Sequence, residues 1–206
     1  MSSAVRVVAN FVTASLLAAS LLTGCGEDEK DPRPAPTPTT SDTPSSSSTP
    51  AVGPMVDAPA FSFHLPELWS EGEPLSSSNV TTVSGGPADG FDFTDLAVET
   101  WTLKHFDDVT KLSGDVLANF QVYAPKGRLV GITDWAGQPA YHLAGSGSLA
   151  GHAEQFGVIW QDQHIAIRFD FASPETATGT RRKEFELTKA QRQALMDSVE
   201  ASWQWK

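Results

Sequence analysis

Two histidines and a glutamate in the second half of the chain have the types and spacing of metal ligands. His142 and His152 flank a segment rich in glycine and serine, and Glu154 follows two residues later. A hairpin symmetric about Gly147 would place His142 opposite His152, with Glu154 beyond them. Two imidazoles and a carboxylate can bind a divalent ion. We expect the simpler interpretation, in which both histidines are partly exposed strand residues and the protein holds no metal or other cofactor; a metal site at these residues is the alternative.

Tryptophans at predicted strand positions are the candidates for a ligand pocket. Large aromatic side chains can line a site for an apolar small molecule, although at strand positions they more often belong to the core. Both readings stay open for the candidate ligand-binding residues, which are Trp69, Trp101 and Trp135, with Trp160 as a further aromatic residue of this kind.

Familiar catalytic motifs are incomplete in this sequence. His152-Ala153-Glu154 matches the His-x-Glu of zinc deaminases, but their paired cysteines cannot follow because Cys25 is the single cysteine. The segment from Gly145 to Gly151 lacks Gly-x-Ser-x-Gly and joins two predicted strands, whereas a nucleophile elbow joins a strand to a helix. Asp107 and Asp108 are better explained as helix caps than as an acid–base pair. We therefore expect no catalytic residues and no enzymatic activity.

Cys25 has a different predicted chemistry, which is lipidation. An apolar run from Phe11 to Leu22 follows a weakly positive start at Arg6, as in a secretory signal. Leu22-Thr23-Gly24-Cys25 then resembles the bacterial lipobox, whose cysteine is acylated and becomes the mature amino terminus. Acyl chains hold such a protein at the bilayer. The sequence thus predicts a protein that is anchored to the cell membrane on the extracytoplasmic side; an ordinary cleaved signal is the alternative.

The sequence divides into three regions. Residues 1–24 are expected to be the lipoprotein signal peptide, and residues 25–58 the lipidated cysteine with a disordered tether of proline, serine and threonine. Residues 59–206 remain for one folded domain.

The charge balance limits the partners. The chain has 14 Lys and Arg against 25 Asp and Glu, a net charge of −11. Such a surface repels nucleic-acid phosphates, so we expect no nucleic-acid partner. Membrane contact is expected through the lipid on Cys25.

Alternating and helical apolar patterns predict the elements of the domain. One helix is expected from caps at Asp107 and Asp108 to Tyr123, and a second is capped by Thr188. Ser70–Gly90 is expected to be a long surface loop around one short strand at Asn79–Val83, and loops of this kind often carry recognition. The other predicted strands are Phe61–Pro66, Asp95–Leu103, Leu129–Trp135, Ala140–Leu143, Glu154–Trp160 and Ile165–Phe171.

The clearest pattern is a hairpin near the end of the domain. A turn at Asp162-Gln163 would pair Gln161 with His164. Arg168 and Asp170 would then lie on the face opposite to a set of apolar side chains, which are Phe156, Val158, Trp160, Ile165, Ile167, Phe169 and Phe171. The stripe of the last helix that is expected to cover this apolar face consists of Leu195, Met196, Val199 and Trp203.

This element order predicts an α+β fold with a mainly antiparallel β-sheet flanked by helices. Four motifs also carry a family resemblance, and they are Phe61-Ser62-Phe63-His64-Leu65-Pro66 with Trp69, Trp135-Ala136-Gly137-Gln138-Pro139-Ala140, the end of the hairpin from Ile165 to Pro174, and Met196-Asp197-Ser198-Val199. Through them the chain resembles the PsbP-like superfamily, in particular its small actinobacterial lipoprotein branch, over residues 60–205. The resemblance implies an α/β/α sandwich and a binding or assembly role without a shared catalytic set.

Taken together, these patterns predict a lipid-anchored binding or assembly protein of the bacterial cell envelope, without catalysis. Its partner is expected to be an envelope protein or an apolar small molecule. The alternative is an envelope enzyme, or a carrier of a small molecule or metal, with a site that the sequence does not reveal.

Overall fold

The structure, a computed structural model, describes residues 48–87, 93–102, 108–146, 151–172 and 186–206. Cys25, the expected signal peptide and most of the expected tether lie outside these residues. The described elements are β1 (Met55–Asp57), β2 (Phe61–His64), β3 (Trp69–Glu71), β4 (Leu75–Ser76), β5 (Val80–Pro87), β6 (Phe93–Trp101), α1 (Gly114–Tyr123), β7 (Arg128–Trp135), β8 (Gln138–Gly145), β9 (His152–Trp160), β10 (Gln163–Ala172), α2 (Lys189–Ser202) and β11 (Gln204–Trp205).

The strands form two antiparallel sheets. The large sheet has the order β3-β5-β6-β10-β9-β8-β7, with β4 also paired to β5, and the small sheet has the order β1-β2-β11. The structure is therefore mostly antiparallel sheet with two helices, which is the general fold class that the sequence predicts. No helix within the described ranges is long and apolar enough to cross a bilayer.

Each face of the large sheet has its own apolar cluster. On one face, the apolar residues of β9 and β10 join β2, β6 and α2 in the main core. The predicted stripe of α2 takes part, with Met196, Val199 and Trp203 buried. On the other face, Tyr141 and Leu143 pack with Phe120 of α1 in a second cluster.

In the hairpin of β9 and β10, the side chains lie on the predicted faces of the sheet, but the turn is formed by other residues than predicted. Gln161 and Asp162, with φ of 49° and 62°, form the turn, and Trp160 pairs with Gln163. Ile167 therefore lies opposite Phe156 instead of Val158. A shift by two residues returns every side chain to the same face, so the apolar pattern could not fix this register.

The first helix begins later than predicted. Its N-cap is Ser113, and it starts at Gly114. Asp108 instead accepts hydrogen bonds from the backbone N–H and the hydroxyl of Thr110, both at 2.8 Å. Such local bonds compete with helix formation. Asp107 lies outside the described residues. Thr188, by contrast, caps α2 as predicted, in a capping box with Gln191.

The segment Ser70–Gly90, expected to be mostly loop, contains strands β3 to β5 in its described part. Val80–Pro87 pairs along β6, so it is an integral part of the large sheet. Its glycines have a packing role: a Cβ on Gly85 would lie 2.6 Å from Leu65 Cδ2. The glycine and serine content that suggested a loop therefore reflects close packing inside a sheet. Shortening this segment would remove a strand, so it is not a detachable recognition loop.

The folded part also begins before residue 59. The strand β1 pairs with β2, and Val56 is only 1% exposed. The backbone N–H of Ala51 donates to the carbonyl oxygen of Ser198 in α2 at 2.9 Å. The end of the segment expected to be tether thus belongs to the domain, because Val56 completes the main core.

Trp203 is the side chain whose removal should destabilise the fold most clearly. Its ring stacks on Phe61 and on Phe63, each at 4.8 Å between centroids, and meets Trp135 edge-on. Trp203→Ala should reduce the free energy of unfolding by about 3–5 kcal/mol. Thermal or urea unfolding measures this change. The exposed Gln193→Ala in the same helix is the control, and equal stability of the two variants would contradict the packing.

Candidate functional site

The face of the large sheet opposite to the main core carries a buried network of charges. On β10, Arg168 and Asp170 alternate with the core residues, and on β6 Glu99 does the same. Arg168 Nε donates to Asp170 Oδ2 at 2.8 Å, and Arg168 Nη1 donates to Glu99 Oε1 at 3.2 Å. The guanidinium also lies 3.6 Å from the centre of the Tyr123 ring. Burial of the Arg168 charge is thus offset by two carboxylates and an aromatic face.

Asp95 adds a further carboxyl group to this network. It lies directly opposite Asp170 on the neighbouring strand. The protein around Asp95 and the charge of Asp170 raise the pKa of Asp95 from 3.8 to about 7, although Arg168 opposes the shift. Asp170 Oδ1 is buried and has no hydrogen-bond donor among the described residues. A protonated Asp95 carboxyl group has an O–H that could donate to that oxygen.

Asp95 connects the network to solvent through a groove. The groove has a volume of about 330 Å³ and runs along β3, β5 and β6. Asp95 itself is exposed on this side, so water screens part of its interaction with Asp170. Most of the other lining residues are polar, charged or glycine; the full set is Ser70, Glu71, Gly72, Ser84, Gly85, Gly86, Pro87, Ala97 and Arg168.

A second set of hydrogen bonds continues the polar layer under α1. Tyr141 Oη lies 2.8 Å from His164 Nε2 and accepts a bond from Gln155 Nε2 at 2.9 Å. Burial lowers the pKa of His164 to about 4, so this imidazole is neutral at pH 7. Gly157 makes room for the tyrosine, since a Cβ there would lie 1.9 Å from Tyr141 Cζ. These residues position Tyr141 and do not reach the groove.

The candidate metal ligands come together, but in a different register from the prediction. His142 lies opposite Phe156, and Glu154 lies opposite Ala144. The Nε2 atoms of His142 and His152 bond separate oxygens of Glu154, at 2.8 and 2.9 Å. Burial would raise the pKa of Glu154, but the two histidines together lower it to about 2.

Both oxygens of Glu154 and the Nε2 atoms of the two histidines are therefore engaged in hydrogen bonds within this group. No group of histidine, cysteine or acidic residues in the described parts of the chain has the arrangement of a metal site. His142 is also stacked on Phe156, with 4.5 Å between centroids, which ties it to the core.

The candidate tryptophans do not share one pocket. Trp69 and Trp135 are buried in the main core, at 8% and 1% exposure. Trp101 lies at the other face, where its indole N–H donates to Glu99 Oε2 at 3.1 Å. Trp160 is partly buried beside Trp205 at the edge of the core. Of these four tryptophans, only Trp101 therefore contacts the charged network, through Glu99.

Sequence reasoning missed the carboxyl groups of the groove. It placed Arg168 and Asp170 on the non-core face of the hairpin but did not pair them with Asp95 or Glu99. The available signal was the presence of charges at alternate positions of two strongly apolar strands. Residues of this type are rarely buried unless they are paired.

Comparison with known proteins gives a structural similarity at low sequence identity. No family model matches the chain, and no curated protein matches it. Its structure is similar to the solution structure of cyanobacterial PsbP (CyanoP) from Synechocystis sp. PCC 6803, at 16% sequence identity and a TM-score of 0.49. The similarity covers 74% of this chain and 92% of that one. The similarity concerns the fold only.

The raised pKa of Asp95 predicts a stability that depends on pH. A carboxyl group that is easier to protonate in the folded state stabilises the protein at low pH, and this contribution is lost as the pH rises through about 7. Asp95→Asn should therefore stabilise the protein at pH 8 relative to the unaltered chain, and much less at pH 5. Thermal unfolding at the two pH values measures the difference.

Asp162→Asn is the matched control, because Asp162 is an exposed turn residue outside the network. An equal effect of Asp95→Asn at both pH values would contradict the interaction between Asp95 and Asp170.

Proposed function

We propose that this protein is a lipid-anchored, extracytoplasmic binding protein of the cell envelope, without catalytic activity. The observation that carries the binding role is the groove beside β3, β5 and β6, where Asp95 meets solvent above a buried ion-pair network. Concave sites with a few convergent polar groups and a perturbed titratable residue are the usual places for ligand binding. The anchor rests on the lipobox-like sequence that ends at Cys25.

The groove favours a polar ligand with a positively charged group. Asp95 and Glu71 contribute carboxyl groups, and Ser70 and Ser84 contribute hydroxyl groups. The positive charge of Arg168 is already offset by Glu99 and Asp170. A primary ammonium group facing Asp95 would replace the proton that Asp95 holds near neutral pH. A ligand of this kind replaces the apolar molecule that the tryptophans suggested.

The scaffold suits recognition on a rigid surface. The groove lies on paired strands, and α1 and α2 pack on opposite faces of the large sheet. Helices on both faces support the α/β/α sandwich expected from the sequence. Sites held by strands keep their geometry better than sites on loops.

A second candidate function is acid catalysis in the same groove. The observation in its favour is the pKa of Asp95, which would let this carboxyl group donate a proton near neutral pH. Binding is favoured over catalysis because the guanidinium of Arg168 already bonds Asp170 and Glu99, so these three side chains are engaged with one another in the structure. Turnover of an ester, peptide or glycan that is lost in Asp95→Asn would establish the enzyme instead.

Nuclear magnetic resonance can test the ligand class directly. Butylammonium, added to the full chain in detergent micelles at pH 7.5, should shift the backbone resonances of Gly72 and Gly86. Butanol, which has the same carbon chain and no charge, should leave them in place. Asp95→Asn should abolish the ammonium effect, whereas Asp162→Asn should preserve it. Equal shifts with both compounds would exclude Asp95 as a cation-binding group.

The anchor has its own test. Cys25→Ser removes the thiol that would be acylated, so the variant should leave the detergent phase and the membrane fraction. Fractionation of cells, with immunodetection of the protein, measures this loss. A variant that stays with the membrane as the unaltered chain does would contradict lipidation at Cys25, and would leave the groove proposal intact.

A further inference from the structure

We propose that two copies of this chain associate through the free edge of the large sheet, with their β7 strands antiparallel. Among the residues that the structure describes, the strand β7, Arg128–Trp135, ends the strand order and pairs with β8 on one side only. The backbone of an edge strand directs every second N–H and C=O group outward, where another strand can pair. This proposal concerns a different surface from the groove and does not depend on it.

The edge is unusually apolar for a solvent-facing strand. Leu129, Val130 and Ile132 are 45%, 56% and 47% exposed. Edge strands of stable monomers commonly carry lysine or proline, which discourage pairing. In β7 the charged residues lie toward the two ends, at Arg128 and Asp134. The middle of the strand is thus suited to contact with another strand.

The beginning of β7 is basic, although the protein as a whole is acidic. Lys126, Arg128 and His152 line a cavity of about 370 Å³ at this end. Neither Lys126 nor Arg128 forms an ion pair with any described residue. Two cationic side chains are therefore available to an acidic partner.

The other end of β7 is acidic. Asp134 lines a cavity of about 390 Å³ together with Asp197 and Glu200 of α2. Asp134 Oδ1 accepts a bond from the backbone N–H of Gly137, and Glu200 Oε1 accepts one from Ala136. These bonds use one oxygen each and leave the region negatively charged. The strand therefore runs from a basic end to an acidic end.

This reversal of charge identifies a second copy as the partner. A two-fold axis through the middle of β7 makes the two strands antiparallel, so the basic end of each copy meets the acidic end of the other. If the axis passes through any residue from Gly131 to Thr133, Arg128 of one copy lies opposite a residue between Asp134 and Gln138 of the other copy. An axis at Gly131 places Val130 of each copy opposite Ile132 of the other, and an axis at Ile132 places the two Ile132 residues opposite each other.

One irregularity limits where the strands can pair. The register of β7 against β8 shifts between Leu129 and Gly131, which marks a bulge at Val130. Bulges disturb pairing locally. The regular part, from Gly131 to Trp135, therefore supplies the backbone contacts, and Arg128 contributes through its charge.

Crosslinking of the full chain in its own membrane tests the contact. In Thr133→Cys, a thiol lies near the proposed axis, and a short bismaleimide should produce a covalent dimer. Glu71→Cys is the matched control, since Glu71 is an exposed residue of β3 at the opposite edge of the same sheet. The unaltered chain controls for Cys25. Equal dimer yields from Thr133→Cys and Glu71→Cys would overturn the proposal, as would crosslinking of Thr133→Cys only to a different protein.

Charge exchange tests the polarity of the pairing. Arg128→Glu alone should weaken the Thr133→Cys dimer, because a carboxylate then faces the acidic end of the other copy. Asp197→Lys alone should also weaken it, because an ammonium group then faces Arg128 of the other copy. Co-expression of the two variants should restore a mixed dimer, in which the altered ends attract. Failure of the mixture to recover, with both variants folded by circular dichroism, would contradict the antiparallel arrangement.

Discussion

The ion pairs of Arg168 with Asp170 and Glu99 are the interaction on which the second face of the sheet depends. The pair with Glu99 joins β10 to β6 near the centre of the strand order, and the pair with Asp170 lies within β10. A buried charge without partners is costly, and removal of one partner from such a pair typically costs about 3–5 kcal/mol. Asp170 and Glu99 therefore cannot change independently of Arg168. A buried pair of this kind adds little net stability, and its main consequence here is a fixed geometry.

That geometry links the fold to the candidate site. The same two strands present apolar residues to α2 and charged residues to the opposite face, because successive side chains alternate. Asp95 lies where the charged row reaches solvent, and its pKa is raised first by the surrounding protein and then by the charge of Asp170. The groove is thus continuous with a structural network of ion pairs.

The sequence was informative where a pattern repeats and weak where local geometry decides. The apolar alternation of β9 and β10 and the stripe of α2 were predicted with the correct faces, since both depend on periodicity alone. The turn at Gln161-Asp162 was misplaced because a two-residue shift preserves that periodicity. The second half of the strand Val80–Pro87 was predicted as loop, because glycines are typical of loops. In the structure, Gly85 leaves room for the side chain of Leu65, which is distant in the sequence.

The candidate site was harder to predict for a related reason. Asp95 and Asp170 are far apart in sequence, and only the pairing of β6 with β10 makes them neighbours. His142, His152 and Glu154 lie close together on two adjacent strands, although His142 is opposite Phe156 and not opposite His152. Their mutual hydrogen bonds, which complete the group without a metal, depend on a register that spacing does not determine. The lipobox at Cys25 is a local signal and remains a prediction from sequence.

The central claim is that Asp95 and Asp170 form a coupled carboxyl pair that opens into the groove. The most direct measurement is the carbon-13 resonance of the Asp95 side-chain carboxyl group, followed from pH 3 to pH 9 in the folded protein. The account predicts a titration midpoint near 7, which moves toward the ordinary value in Asp170→Asn. A midpoint near 4 in the unaltered protein would contradict it.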